Sequence, residues 1–288
     1  MPNTEVHDFS GVTSKRTADP PTGPLEQVFL GDCLEIVPRL PRNLVHFVYL
    51  DPPFFTNRSH HATARATDNL SFGDRWQGGL HEYLTWLDAR VRALRGILTP
   101  SGVFLLHLDW HASHYAKVMC DGIFGAGFFQ NELIWYYQTG GASRDRFSRK
   151  HDTILLYSMS KNFYFDGKSV AIPRTPKAMK RARSGRGARI AATDTHKNPD
   201  DVLTVPALNP MAVERNGYPT QKPVALLETL IQALCPPGGT VADFFCGSGT
   251  TLVAAQNLQR HWIGGDASEA AVKLACKRLR IEVRPQKP

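Results

Sequence analysis

Apolar positions along this 288-residue chain fall into short solid runs separated by stretches with helical spacing. The solid runs are Gln27 to Leu30, Val45 to Leu50, Gly102 to Leu108, Glu132 to Tyr137, Thr153 to Tyr157, Thr240 to Phe245 and Trp262 to Asp266. Their length and their β-branched or aromatic content predict buried strands. Between them, Tyr83, Leu84, Leu87, Val91, Leu94 and Leu98 recur at the helical period, predicting a helix over Leu80 to Leu98. Helices are also predicted for Leu34 to Val37 (broken at Pro38), His111 to Phe124, Pro223 to Leu234 and Thr250 to Leu258. Ser268 is placed to cap a final helix. Strands alternating with helices call for an α/β fold, a mostly parallel sheet wound on both faces.

Polar stretches divide this pattern. Residues 1–24, with Pro20, Pro21 and Pro24, read as a flexible arm. Residues 25–158 form a first half, and 219–288 a second half in which the strand–helix rhythm returns. Between them, 159–218 is rich in Lys, Arg, Pro, Gly, Thr and Asn and reads as an insertion, partly unstructured without its partner. Phe55 to Gly79 is a long polar loop of the kind that usually carries function. No run approaches bilayer-spanning length and no charged-then-apolar leader opens the chain, so a soluble, cytoplasmic protein is expected.

Charge sharpens the reading of the insertion. Net charge is +8, and Pro173 to Ile190 holds Arg174, Lys177, Lys180, Arg181, Arg183, Arg186 and Arg189 with no acid, leaving +1 for everything else. Local positive charge of this kind is the footprint of a polyanion. Arg144, Arg146, Arg149 and Lys150 make a second basic loop. The five cysteines are widely spaced and odd in number, which argues for reduced core thiols rather than disulfides or a zinc site. His107, His111 and His114 have partial metal-ligand spacing, but no glutamate follows His107 as in a zinc protease, and no metal is expected.

Two motifs carry chemistry. In VHFVYLDPPF (Val45 to Phe54) an apolar strand is stopped by two prolines, which leaves one carboxylate and one ring on a stiff backbone. In open α/β sheets, that strand end is where ligands bind. In VADFFCGSGTT (Val241 to Thr251) a strand meets a glycine-rich turn and a helix start, whose free N–H groups can hold a polar ligand. No lysine follows the glycines, which disfavours a nucleoside triphosphate. A dinucleotide site wants a third glycine where Leu252 stands, although Asp266 is placed to grip a ribose diol. S-adenosylmethionine needs the acid and the glycines but no phosphate grip.

Taken together, DPPF and DFFCGSGTT resemble the DNA amino-methyltransferases, in the β order that puts the catalytic half before the cofactor half. The resemblance spans roughly Val28 to Arg280. It implies a Rossmann-like methyltransferase fold with S-adenosyl-L-methionine as cofactor and double-stranded DNA as partner, and a basic target-recognition insertion. It implies that Asp51, Pro52, Pro53 and Phe54 form the catalytic tetrapeptide. Asp32, Cys33 and Leu34 would meet the cofactor's adenine, and Pro219 to Pro223, with Lys222 and Pro223, its amino-acid end. Asp243, Phe244, Phe245, Gly247, Ser248, Gly249 and Thr250 would form the methionine turn, and Asp266 would take the ribose. His151 to Ser158 would help hold the flipped base. The chain departs from the pattern at Phe54 for tyrosine, at Phe244 for proline and at Gly265 for isoleucine.

The implied chemistry is transfer to the N6 amine of a flipped adenine. Cytosine N4 is the alternative, then an RNA methyltransferase or an inactive DNA-binding protein. An exocyclic amine is a poor nucleophile because its lone pair is delocalised. Asp51 and the Pro52 carbonyl can accept its two N–H bonds and aim the lone pair, while Phe54 stacks on the base. Arg144, Arg146, Arg149, Lys150, Lys177, Lys180, Arg181, Arg183, Arg186 and Arg189 would bind DNA. The resemblance also suggests a homodimer; a companion restriction enzyme is not readable from one chain.

Overall fold

The computed structural model of the protein describes residues 6–8, 25–61, 71–137, 141–184, 195–209 and 211–282. In chain order its elements are β1 (Val6–Asp8), β2 (Gln27–Leu30), α1 (Cys33–Ile36), β3 (Val45–Leu50), β4 (Arg58–His61), β5 (Ser71–Asp74), α2 (Gly79–Arg95), β6 (Leu98–Leu108), α3 (Ser113–Phe124), β7 (Phe129–Tyr136) and β8 (His151–Ser158). They continue with β9 (Ile172–Pro173), α4 (Pro176–Arg183), β10 (His196–Lys197), β11 (Val202–Thr204), α5 (Val224–Leu234), β12 (Thr240–Asp243), α6 (Thr250–Asn257), β13 (His261–Asp266) and α7 (Glu269–Leu279).

A nine-stranded sheet in the order β1-β2-β13-β12-β3-β6-β8-β7-β11 forms the frame. Its pairings are parallel except at β8, which runs antiparallel to both β6 and β7. Alternation along the central strands fills both faces. Phe47, Tyr49, Val103, Leu105 and Val241 join a core with α5, α6 and α7. Val48, Leu50, Phe104, Leu106 and Ala242 join a second core with α1, α2 and α3. This is why the central strands read as unbroken apolar runs: successive side chains face opposite ways and both faces are covered. Parallel β2, β13, β12, β3 and β6 end on one common edge, and the candidate site is built there.

Three stretches differ from the expectation. Within 1–24, Val6–Asp8 adds a parallel edge strand to β2; the rest of that arm lies outside the described residues. The Phe55 to Gly79 loop contains the antiparallel ribbon β4–β5. The 159–218 segment is woven into the main fold, since β11 is the ninth strand, parallel to β7. Leu203 is buried there, the Trp135 indole donates to the Val205 carbonyl at 2.8 Å, and Asp166 N–H donates to Ala233 O at 2.8 Å. Its polar composition hid a strand of three residues, too short to show a period. The ribbon β9–β10 and helix α4 project from this segment as the smaller unit.

Leu252, where a dinucleotide site would have its third glycine, has a steric explanation. A glycine on the helix normally lets helix and strand approach closely. Here the small residue sits on the strand: a Cβ at Gly264 would overlap the Leu252 side chain, which is fully buried. At Gly265 a Cβ would lie 3.1 Å from the Phe244 ring and 3.2 Å from Ile36 Cδ1. The Gly264–Gly265 pair and the large Phe244 are thus one packing solution. Gly264→Ala should lower stability by about 1–3 kcal/mol through overpacking. In urea titrations, the Gly264→Ala/Leu252→Ala double variant should lose less than the sum of the two singles.

Candidate active site

The carboxylate of Asp51 stands where β3 ends. Proline at positions 52 and 53 withdraws two N–H donors, and the backbone then turns through Phe55, a non-glycine residue with φ of 62°. Buried Asp74 stabilises that unusual turn. It accepts Phe55 N–H at 3.0 Å, Thr56 N–H at 2.6 Å, the Thr56 hydroxyl at 2.7 Å and the Trp76 indole at 2.9 Å. From α2, the Tyr83 hydroxyl donates to the Pro53 carbonyl at 2.8 Å. The tetrapeptide is therefore held from both sides.

Asp51 faces Lys222. The ammonium donates to Oδ1 at 2.9 Å and to Oδ2 at 2.7 Å, with both side chains largely buried, and sits 5.0 Å from the Phe54 ring centre. On its other side Phe54 lies 5.7 Å, centre to centre, from the His107 ring. His107 is fully buried, with the Tyr49 hydroxyl at Nδ1 and Asp152 Oδ2 3.3 Å from Nε2. A carboxylate only accepts, so Nε2 carries the hydrogen on the Asp152 side. The Tyr137 hydroxyl donates to the other Asp152 oxygen at 3.1 Å. Burial works to raise the Asp152 carboxyl, but His107, Lys222 and Tyr137 outweigh it and hold it below the ordinary range.

The cofactor half closes the same space. Asp32 and Asp266 end the neighbouring strands β2 and β13, tied by Gly31 N–H to Asp266 O at 3.0 Å. The Asp266 carboxylate accepts Gly247 N–H at 2.8 Å and Ser268 N–H at 2.9 Å, which joins the acid to the glycine turn. Burial raises its pKa despite those two bonds. Asp32 caps α1 through Leu34 N–H at 2.9 Å and pairs with Arg90, whose guanidinium lies 4.1 Å from the Trp86 ring centre. Gly247, at φ of 50°, lets Tyr218 cover the turn; a Cβ there would come within 2.9 Å of that ring. Under the turn, Arg278 Nη1 donates to Ser248 O at 2.8 Å and to the Thr250 hydroxyl at 2.9 Å.

One cavity of ≈ 620 Å³ unites these parts. Of the residues predicted from sequence, Asp51, Pro52, Pro53, Phe54, Asp32, Cys33, Lys222, Asp243, Phe244, Phe245, Gly247, Ser248, Thr250 and Asp266 line it. Leu34, Pro223 and Gly249 do not. Leu34 points toward solvent, Pro223 caps α5, and Gly249 caps α6 in the left-handed region at φ of 76°. Sequence reasoning missed Trp86 and Arg90 on α2, together with Tyr49, Thr56 and Tyr218. Lys222, expected at the cofactor's amino-acid end, lines the same cavity but bonds Asp51 and lies over Phe54. The Asp32 and Asp266 carboxylates, with the cavity's aromatic walls and hydroxyls, suit a ligand that carries an amine-bearing base, a ribose diol and an amino acid. The donor set thus fits S-adenosylmethionine.

The predicted DNA-binding residues lie elsewhere. Lys177, Lys180 and Arg181 are exposed on α4, while the Arg183 side chain, Arg186 and Arg189 lie outside the described residues. Arg144 and Arg146 are exposed, Arg146 is paired with Asp145 at 2.7 Å, and the Arg149 guanidinium lies 3.7 Å from the Trp110 ring centre. Lys150 donates to Gly141 O at 3.1 Å. All five cysteines are buried free thiols, and burial pushes Cys33, Cys235 and Cys276 up to about 12. Among the described residues no cluster could hold a metal ion, and His111 is instead paired with Asp109 at 2.7 Å.

A mostly parallel open sheet with a glycine turn and strand-end acids at one edge defines a nucleoside-cofactor-binding fold. The chain belongs to the N6/N4 DNA methylase family, whose model matches residues 45–277; it is a DNA methyltransferase, and the family is S-adenosylmethionine-dependent. It is 26% identical over 269 residues to the Type II methyltransferase M.ScaI of Streptomyces caespitosus, covering 89% of this chain and 82% of that protein. It is 23% identical over 253 residues to the DNA adenine methyltransferase YhdJ of Escherichia coli (strain K12), covering 87% and 81%. Its fold matches PvuII DNA methyltransferase (cytosine-N4-specific) with a TM-score of 0.60 at 19% identity, covering 87% and 85%.

Asp243 yields a pH prediction. Burial, with the charges of Asp51 and Asp266 behind it, raises its pKa to about 7 against the bonds from Thr251 and Phe245 N–H. Between pH ~4 and ~7 the folded protein therefore holds a proton that the unfolded chain has released, so stability falls as pH rises through that window. Asp243→Asn keeps an acceptor but cannot titrate. Thermal melts of this variant should show a flatter pH dependence from 4 to 7 than wild type.

Proposed function

We propose that the protein is a site-specific DNA methyltransferase acting on the N6 amine of adenine, with Asp51, Pro52, Pro53 and Phe54 as the reacting site. The observation that carries this is the single cavity shared by the Asp51 carboxylate and the glycine turn. When bound, S-adenosylmethionine supplies an electrophilic methyl group. Asp266 would hold its ribose hydroxyls, Asp32, braced by Arg90, its adenine amine, and the Gly247 to Thr250 turn, with Lys222 nearby, its amino-acid end. Trp86 and Phe245 wall that space, their ring centres 5.6 Å apart.

The base amine needs two acceptors. Asp51 provides one and the Pro52 carbonyl the other, which localises the lone pair and directs it across the cavity. Lys222 pins the carboxylate until an amine N–H takes one of its oxygens. Such orientation is worth on the order of 7–11 kcal/mol at best. After transfer the nitrogen is cationic and loses its proton readily, so Asp51 need not be a strong base. No base inside a duplex reaches this pocket, so it must be flipped out. Phe54 would then stack on it, worth roughly 1–3 kcal/mol.

Adenine is favoured by the aspartate that opens the tetrapeptide and by the name of the adenine relative YhdJ. Cytosine N4 is the second reading, supported by the fold match to the PvuII enzyme and by the fact that the same acceptor pair serves either amine. α4 and the Arg144 to Lys150 loop would meet phosphates. Work on cytoplasmic DNA beside a restriction enzyme, as a homodimer, belongs to the same proposal; the Type II name of M.ScaI supports the restriction partner.

Mass spectrometry of nucleosides from DNA incubated with the protein and labelled cofactor, with sequencing to locate the label, should show N6-methyladenine at one short motif. N4-methylcytosine would establish the second reading, and no label would reject both. Asp51→Ala should abolish transfer while calorimetric cofactor affinity stays within a few-fold of wild type. Lys180→Glu/Arg181→Glu should weaken DNA binding and lower its salt slope by about 1–2 units; an unchanged slope would remove α4 from the interface.

A further inference from the structure

Phe147 is 99% exposed, and the next most exposed aromatic among the described residues is Tyr115 at 54%. An aromatic ring fully in water forgoes the burial that usually stabilises it. This one sits in the segment joining β7 to β8, flanked by Arg144, Arg146, Arg149 and Lys150 against the single acid Asp145. The loop is braced. Ser143 N–H donates to the Ser148 hydroxyl at 2.8 Å, and the Ser143 hydroxyl to Asp145 at 2.8 Å. Tyr137 N–H donates to Lys150 O at 2.9 Å. Arg149 stacks on Trp110, just beyond the end of β6. The ring is thus held outward by polar bonds on either side of it.

Its position follows from the strand register. β8 is antiparallel, so its start lies beside the ends of its neighbours: Thr153 pairs with Leu108 and His151 with Tyr136. Leu50, which precedes Asp51, pairs with Leu106. Two residues after Lys150, Asp152 meets His107, the ring beside Phe54. The loop that carries Phe147 therefore leaves the sheet at the edge that holds Asp51 and Phe54.

We infer that Phe147 is a wedge that enters the DNA base stack beside the target and holds the gap left when the target base moves to Phe54. This rests on the DNA methyltransferase reading and extends it to the duplex. The four cations would bring the phosphates to the loop, and the ring would replace a stacking neighbour, as apolar side chains do when they part base steps. Phe54 receives the base on one side and Phe147 keeps the stack open on the other.

The test uses the full-length protein and a duplex carrying the mapped methylation motif. 2-Aminopurine replaces the target base, or its 3′ neighbour if the target is cytosine. Wild-type protein with cofactor should raise the fluorescence. Phe147→Ala should reduce the flipped-to-stacked ratio roughly ten-fold, a factor of the order that base–aromatic stacking supplies; Phe147→Trp should retain it. Calorimetric cofactor affinity should be unchanged in both. Removing the base opposite the target takes away most of the cost of opening, so Phe147→Ala should recover the signal on that duplex, and methyl transfer on its counterpart that keeps the natural target base. A Phe147→Ala signal equal to wild type on the intact duplex overturns the wedge. A loss that the abasic duplex does not rescue also overturns it and leaves Phe147 as a simple contact. If wild type itself gives no rise, base flipping fails at the level of the parent reading.

Discussion

The contact between Asp51 and Lys222 joins residues 171 positions apart, and it makes one site from two halves of the chain. Asp51 is delivered by β3 and a stiff proline turn. Lys222 is delivered by the segment that returns to the sheet before α5. Largely buried opposite charges must be matched, because an unpaired one is costly to keep out of water. Each side chain therefore fixes where the other's backbone can lie. Phe54, 5.0 Å from the same ammonium, is drawn into the arrangement as its aromatic face. The Asp51 turn and the glycine turn line one cavity, and this pair spans the two halves of the chain that build it.

Support for that pair comes from groups with no reactive task. Asp74 takes the N–H groups of a turn that would otherwise be strained, and Tyr83 fixes the Pro53 carbonyl. Behind Phe54, the buried chain Tyr49–His107–Asp152–Tyr137 leaves no ring nitrogen or carboxylate oxygen without a partner. A polar network below a stacking surface costs little when every member is satisfied, and it resists shear better than an apolar wall. Arg90 does the same for Asp32, setting its carboxylate at the other end of the cavity.

Much of the site was legible in the sequence, and the limits have physical causes. DPPF and the glycine turn are local: each is a run of adjacent residues, and the strand before each is a solid apolar run, so their place at the cavity could be read in advance. The alternation of strands and helices conveyed the parallel sheet for the same reason. Trp86 and Arg90 were not legible, because on an amphipathic helix an arginine is ordinarily a solvated charge and a tryptophan ordinarily core. Their place on the cavity wall comes from tertiary partners, with Arg90 paired to Asp32 and lying over Trp86. Asp74 and His107 acquire their roles from partners far away in the chain. β11 escaped notice because three residues carry no period and its neighbours are polar. The Gly264–Leu252 exchange is instructive in the opposite direction: a missing glycine on the helix looked like a departure, and its counterpart stood on the adjacent strand all along.

The reversed strand β8 has a consequence for how this protein can diverge. A parallel neighbour to β6 would need a crossover through a helix, and its far end would deliver the chain to the wrong edge. A hairpin returns at once, so the segment between Tyr136 and His151 is anchored at both feet while the sheet does not dictate its length. Lengthening a closed loop costs only slowly growing entropy, and surface loops accept changes that a core strand would reject. The outer rim of this sheet edge can therefore be rewritten by insertion or deletion in one hairpin, while the strands that carry Asp51 and His107 are inherited unaltered. In this architecture, the rim of the cavity's edge and the frame behind it are separable by descent.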